Sequence, residues 1–113
     1  MPENVKNILE RYVSNVTEIY GDHLKHILLY GSYARGDFRE GSDIDIMILV
    51  DLSREDIKSF SGALSDMTFD INIDNDIMIM PIVQNLDFFN KWVRSHPFYN
   101  NVNNEGVELY AAA

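Results

Sequence analysis

Residues 31–50, GSYARGDFREGSDIDIMILV, decide the fold of this chain. The apolar run before them, residues 26–30, has the length of a buried strand, so Gly31 lies where that strand breaks into a turn. A glycine at such a position lets backbone N–H groups approach a phosphate without interference from a Cβ atom. The pattern therefore predicts a strand, a phosphate-approach turn, a loop and a second strand.

Asp43 and Asp45 open the second apolar segment, residues 43–50, which is rich in β-branched residues. Because side chains alternate along a strand, these two carboxylates share one face, where they repel and raise each other's pKa. A divalent cation removes that cost, and Mg²⁺ typically takes one or two carboxylates together with water and phosphate oxygens. A bare Asp-x-Asp pair is more often a polar strand entrance, but the preceding Gly-Ser turn favours a metal-dependent phosphoryl or nucleotidyl transfer site.

Residues 31–36, GSYARG, and residues 42–45, SDID, resemble the signature of the nucleotidyltransferase superfamily that includes DNA polymerase beta, and in particular its minimal nucleotidyltransferase (MNT) members. Their spacing matches that pattern without insertion or deletion. The resemblance is good over residues 28–83, and the tail at residues 97–107 is similar to stand-alone members of the family. It implies an α/β (α+β) fold, a small mixed β-sheet flanked by helices like the palm of polymerase beta.

The resemblance also implies roles for individual residues. Gly31 and Ser32 would hold the β and γ phosphates of a nucleoside triphosphate, and ATP is the expected substrate. Asp43 and Asp45 would ligate two Mg²⁺ ions, which together can clamp the attacking and leaving oxygens of an in-line displacement.

A third carboxylate is implied on the next core strand, and two residues are candidates for it. Asp76 directly precedes the alternating run of residues 77–83 and would share a face with Met78 and Met80. In that position Asp76 would ligate the metal that activates the acceptor hydroxyl, and could take its proton. Asp74 is the alternative.

Arg35 and two histidines are further polar candidates. Arg35 lies in the glycine-bounded turn, where it could reach a triphosphate oxygen, although pairing with Asp37 is an equal alternative. His23 and His26 have a metal-like spacing for a helix, but they fall in a turn and a strand start, so we expect them to be structural or solvated.

The remaining chain reads as scaffold within one domain, residues 1–113. Apolar periodicity predicts a helix over residues 1–20 that ends at Gly21. Ser53 followed by Asp56 is a weak capping-box variant and opens a second helix, from which residues 71–75 would lead out. A third short helix is expected at about residues 85–95.

Composition excludes several classes of protein. The net charge of −9, with nine dispersed basic residues, argues against a nucleic-acid partner, because such affinity comes mainly from Lys and Arg. No apolar run approaches the ~20 residues of a membrane span, and no signal peptide is evident, so we expect no membrane partner and a cytoplasmic location. With no cysteine, disulfides and thiol catalysis are excluded.

Together these features predict a Mg²⁺-dependent nucleotidyltransferase that moves AMP from ATP to an acceptor hydroxyl and releases pyrophosphate. Many stand-alone MNT members act beside a HEPN-domain protein as its antitoxin, some by attaching AMP to it, which implies a protein acceptor and a possible homo- or hetero-oligomer. Two alternatives stay open: an aminoglycoside-type small-molecule adenylyltransferase, and a non-catalytic antitoxin that binds its partner.

Overall fold

The computed structural model describes all residues from Met1 to Ala113. Its elements, in chain order, are α1 (Glu3–Tyr20), a 3₁₀ turn (Gly21–His23), β1 (Leu24–Tyr30), α2 (Ser32–Arg35), β2 (Ile44–Val50), α3 (Arg54–Asn75), β3 (Ile79–Asn85), α4 (Leu86–Trp92), α5 (Pro97–Glu105) and β4 (Val107–Ala111). None of the helices is both long enough and apolar enough to cross a membrane.

The four strands form one mixed sheet in the order β3-β2-β1-β4. β1 is antiparallel to both β2 and β4, whereas β2 and β3 are parallel. A parallel pair requires a long crossover, and here α3 supplies it. The predicted fold class, a small mixed sheet flanked by helices, is confirmed.

One face of the sheet packs against α1 and α3 and forms the main core. Tyr12 of α1 is fully buried there, and its hydroxyl is hydrogen-bonded to that of Thr68 in α3 at 2.8 Å. As the capping pattern predicted, the Ser53 hydroxyl accepts a hydrogen bond from the backbone N–H of Asp56 at the start of α3. These contacts fix the crossover helix, and with it the β2–β3 pair, against the back of the sheet.

The opposite face holds a smaller cluster in which Tyr30, Met47 and Leu49 pack against Phe89 of α4 and Val102 of α5. Asp45 lies on this face because it pairs with Tyr30 across the β1–β2 ladder and stands two residues before Met47. The carboxylates therefore lie on the sheet face that α4 and α5 only partly cover.

Two features of the fold differ from the sequence-based expectation. α3 continues to Asn75, because its buried residues Leu64, Thr68 and Ile71 maintain helical spacing. The polar segment at residues 71–75 was expected to lead out of the helix and instead forms its last turn. The tail was given no elements, yet it folds into α5 and the edge strand β4. Both errors arise where tertiary packing stabilises a segment with weak local signals.

Candidate functional site

The turn at Gly31 lies directly against Asp45. Gly31 has φ +76°, and a Cβ atom added there would lie 2.4 Å from the Oδ2 of Asp45. No side chain fits into that space, and a positive φ of this size also favours glycine. The glycine is required because the β1–β2 register brings the end of β1 next to the carboxylate.

The turn continues into α2, a single short helical turn. The N–H groups of Ala34 and Arg35 donate to the carbonyl of Gly31, and the segment ends at Gly36 with φ +86°. This compact arrangement places the side chain of Ser32 and the guanidinium of Arg35 beside the same hollow as Asp45.

That hollow, which we call the aspartate hollow, encloses about 410 Å³ between the Gly31 turn, the start of β2 and helix α5. It brings together five of the six predicted site residues: Gly31, Ser32, Arg35, Asp43 and Asp45. The opposite wall comes from Phe98, Asn101, Val102 and Glu105 of α5.

The two aspartates are electrostatically coupled. Partial burial raises the pKa of the Asp45 carboxyl, and the nearby charge of Asp43 raises it further. The positive charge of Arg35 lowers that pKa, and the negative charge of Glu105 raises it. A divalent cation between the two carboxylates would relieve this repulsion, so the oxygen donors present fit Mg²⁺. No three His, Cys, Asp or Glu side chains form a complete metal-binding group, so water and substrate oxygens would have to fill the remaining positions.

The structure does not bring Asp76 into the aspartate hollow. Asp76 ends α3 in a left-handed conformation, with φ +50°, and β3 begins only at Ile79, so the prediction that Asp76 opens that strand is wrong. Asp76 lines a neighbouring hollow instead, together with Asn75, Ile77 and Met78.

The alternative residue, Asp74, lies within the last turn of α3 and is not on β3 either. In the parallel β2–β3 register the partner of Asp45 is Met80, and the backbone N–H of Ile44 donates to the carbonyl of Met78. The positions next to the aspartates, one on β3 and one just before it, therefore carry methionines, and no acid from this strand joins the pair.

Glu105 is the functional candidate that the sequence analysis missed. Its Oε1 accepts a hydrogen bond from the backbone N–H of Gly31 at 2.9 Å, and Arg35 Nη1 lies 3.3 Å from both of its carboxylate oxygens. Arg35 Nε also donates to Oδ2 of Asp37 at 3.3 Å, and this pairing is one of the two alternatives predicted for Arg35. The only local signal was an acidic residue before Gly106, and nothing in the sequence links it to a turn 74 positions earlier.

The two histidines lie outside the aspartate hollow. Nδ1 of His23 lies 2.8 Å from Oδ1 of Asp51, and Nδ1 of His26 lies 2.5 Å from Oε1 of Glu108. Each is thus paired with its own carboxylate, in agreement with the structural role expected for both.

Comparison with known proteins identifies a family. The family model described as "Polymerase beta, Nucleotidyltransferase" matches residues 3–111. Two proteins of Methanocaldococcus jannaschii are similar over nearly their whole length. "Putative protein adenylyltransferase MJ0604" is 33% identical over 95% of this chain and 99% of its own, and "Putative protein adenylyltransferase MJ0141" is 31% identical over 90% and 95%.

Solved structures share the fold. A crystal structure of a toxin-antitoxin with AMP-PNP superposes with a TM-score of 0.57 at 20% identity, covering 91% of this chain and 73% of that one. A mutant of the toxin-antitoxin MntA-HpeT superposes with a TM-score of 0.56 at 19% identity over the same shares. At this level of identity the superpositions establish the architecture.

Proposed function

This chain belongs to the polymerase beta nucleotidyltransferase family and is a nucleotidyltransferase, and from that premise we propose that it transfers AMP from ATP to a hydroxyl group of a partner protein. The observation that carries the proposal is the contact between the Gly31 turn and Asp45. It places a backbone suited to phosphate oxygens directly beside a coupled carboxylate pair. We also propose that residues 1–113 act as a single domain, since the family match spans almost all of them.

We assign the residues of the aspartate hollow separate roles in binding the phosphates and the metal. Gly31 and Ser32 hold the β and γ phosphates, and Arg35 neutralises part of the triphosphate charge. Asp43 and Asp45 hold Mg²⁺, two ions being the expected number. When bound, Mg²⁺ neutralises charge on the phosphates and on the leaving pyrophosphate. Catalysis here is mainly positioning and charge neutralisation, which a small scaffold can provide.

A third metal ligand is expected on the acceptor side of the site. Asp76 remains the residue that the family resemblance implies, but it lines the neighbouring hollow and not the aspartate hollow. If Asp76 nevertheless ligates the metal on the acceptor side, Asp76→Asn should abolish transfer as completely as Asp45→Asn does. The structure favours a smaller effect, because the nearest β3 position carries Met80.

A protein acceptor is supported by the surface next to the site. Met78, just before the edge strand β3, and Met80 and Ile82 within it lie at alternate positions, and each residue is more than 40% exposed: 49%, 46% and 43%. By register, Met80 stands next to Asp45. An apolar strip beside a catalytic pair suits docking of a protein segment better than it suits a polar small molecule.

The kind of partner is inferred from relatives. The M. jannaschii proteins are named as protein adenylyltransferases, and the structural neighbours are toxin-antitoxin complexes. We propose a toxin partner with a HEPN domain, modified on a Tyr, Ser or Thr hydroxyl within a hetero-oligomer in the cytoplasm. Because this chain carries a net charge of −9, the docking face of the partner should be basic.

A second candidate function is an antitoxin that acts by binding alone. It is favoured by the β2–β3 register, which places Met80 and no acid next to Asp45. Intact-mass spectrometry separates the two functions. The partner that copurifies with this chain is incubated with the protein, Mg²⁺ and ATP. One or more added AMP units, absent with Asp45→Asn, support transfer. An unmodified partner that is nevertheless neutralised supports binding alone, and modification of a free aminoglycoside in its place would contradict both.

A further inference from the structure

Glu105 already occupies the groups that the proposed function assigns to phosphate. Its carboxylate accepts the Gly31 N–H at 2.9 Å and lies 3.3 Å from Arg35 Nη1 through both oxygens. A phosphate bound to this turn would present oxygens to the same two donors. In this conformation one anionic group of the protein stands where another anion is expected.

The two arrangements exclude each other at Gly31. A backbone N–H has a single hydrogen, and an acceptor oxygen must lie about 2.9 Å from the nitrogen along that direction. Oε1 of Glu105 fills that position. Beyond this overlap, the hollow is lined by three carboxylates, those of Asp43, Asp45 and Glu105, and by one guanidinium, so an incoming triphosphate is also repelled.

The side chain of Glu105 can leave without any movement of its helix. Glu105 is the last residue of α5, and its side chain is 25% exposed. The following residue is fixed: the Gly106 N–H donates to the carbonyl of Val102 at 2.8 Å, and a Cβ at Gly106 would lie 2.4 Å from that oxygen. The backbone is therefore held while the carboxylate rotates toward water about its own side-chain bonds.

We propose that Glu105 is an internal competitor of the triphosphate, which must displace its carboxylate from Gly31 and Arg35 before it can bind. The inference rests on the proposed function, because it needs Gly31 and Arg35 to be phosphate donors. Breaking a charge-assisted contact of this kind should weaken nucleotide binding about tenfold. Glu105 thus lowers the nucleotide affinity, and it occupies the Gly31 N–H and the Arg35 guanidinium when no nucleotide is present.

Calorimetric titration of the full chain tests this with two probes, Mg²⁺·AMP-PNP and Mg²⁺·tripolyphosphate. Glu105→Gln removes the competing charge and should bind both probes about tenfold more tightly than the unmodified chain. The matched control is Glu108→Gln, which removes the same charge from β4, where Glu108 pairs with His26. The control should leave both affinities unchanged. A gain shared by both probes locates the competition at the phosphates.

Three results would overturn the proposal. If the unmodified chain binds both probes and Glu105→Gln binds them equally or more weakly, Glu105 supports the turn and the proposed function still stands. If Glu108→Gln shows the same gain, the effect is one of net charge alone. If neither the unmodified chain nor Glu105→Gln binds either probe, the proposed function fails as well.

A second measurement needs no variant, and so it does not depend on whether Glu105→Gln folds. NMR spectra of the unmodified chain are recorded while Mg²⁺·tripolyphosphate is added. The Glu105 side-chain carboxyl and the Gly31 amide resonances should shift together, and the Glu108 carboxyl should stay constant. A Glu105 carboxyl that stays unchanged while the amide of Ser32 shifts would contradict displacement.

Discussion

The parallel strands β2 and β3 lie side by side in one register, yet at the same end of the sheet β2 carries acidic side chains and β3 carries apolar ones. β2 is preceded by Asp43 and carries Asp45 beside the Gly31 turn, whereas β3 is preceded by Met78 and carries Met80. Asp45 is pressed against a backbone turn, and Met80 is open to solvent. From this difference we infer separate roles, in which β2 provides the transfer chemistry and β3 provides a surface for the acceptor.

The largest expected effect is at Asp45. Asp45→Asn removes a charge that we propose binds Mg²⁺, at nearly constant volume, so transfer should fall by more than about a hundredfold, beyond the usual loss for an outer-shell partner of a metal. Met80→Leu, at the neighbouring position on β3, keeps an apolar side chain and should retain most of the activity. Initial rates of AMP transfer at saturating ATP compare the two variants. Equal losses would mean that the division between the strands is wrong.

Gly31→Ala should have the next largest effect. The substitution forces alanine into φ +76° and ψ −156°, a region occupied almost only by glycine, at a cost of roughly 1 to 3 kcal/mol, and it pushes the new Cβ into Asp45, displacing the carboxylate. Gly36→Ala is the matched control, because Gly36 has φ +86° but nothing within 4 Å of an added Cβ. Gly36 has ψ +6°, in the left-handed helical region that alanine enters at a cost of roughly 1 to 2 kcal/mol, so thermal unfolding should show a loss in both variants and a larger one for Gly31→Ala. Transfer should be lost only in Gly31→Ala.

Sequence alone predicts one part of this site and leaves another part out. The Gly31 turn and the Asp43–Asp45 pair were predictable because strand periodicity and local spacing fix both, and the structure brings them together as expected. Asp76 was misplaced because helix α3 extends through a polar segment. Packing of Ile71 stabilises this extension, and the local sequence does not reveal that packing. Glu105 could not be found, since its contact with Gly31 depends on how α5 packs across the sheet.

A third, intermediate effect is expected on the β3 side. Met80→Ser should weaken binding of the partner by about tenfold, in line with the loss of one well-placed apolar contact. Phe69→Ser is the control, because Phe69 is 65% exposed on α3 and carries a larger apolar side chain. Surface plasmon resonance with the copurified partner measures both. A stronger loss with Phe69→Ser would move the docking surface from β3 to α3.

The smallest effect concerns stability and pH. Burial and Asp43 raise the pKa of Asp45 above its unfolded value, so the folded state binds the proton more tightly. The contribution of Asp45 to stability is therefore fully present below the unfolded pKa and is lost as pH rises through the raised folded pKa. In the absence of metal, Asp45→Asn should melt a few degrees higher than the unmodified chain at pH 7, and the difference should shrink in acid. Melting curves between pH 3 and pH 8 test the sign, and an Asp45→Asn variant that melts lower at pH 7 would contradict it.

The most direct test of nucleotidyl transfer uses ATP labelled at either the α or the γ phosphate. The protein, its copurified partner and Mg²⁺ are incubated with each form, and the label on the partner is measured. We expect label from the α position only, because AMP moves and pyrophosphate leaves, and we expect no label with Asp45→Asn. Label from the γ position, or α label that persists in Asp45→Asn, would contradict it.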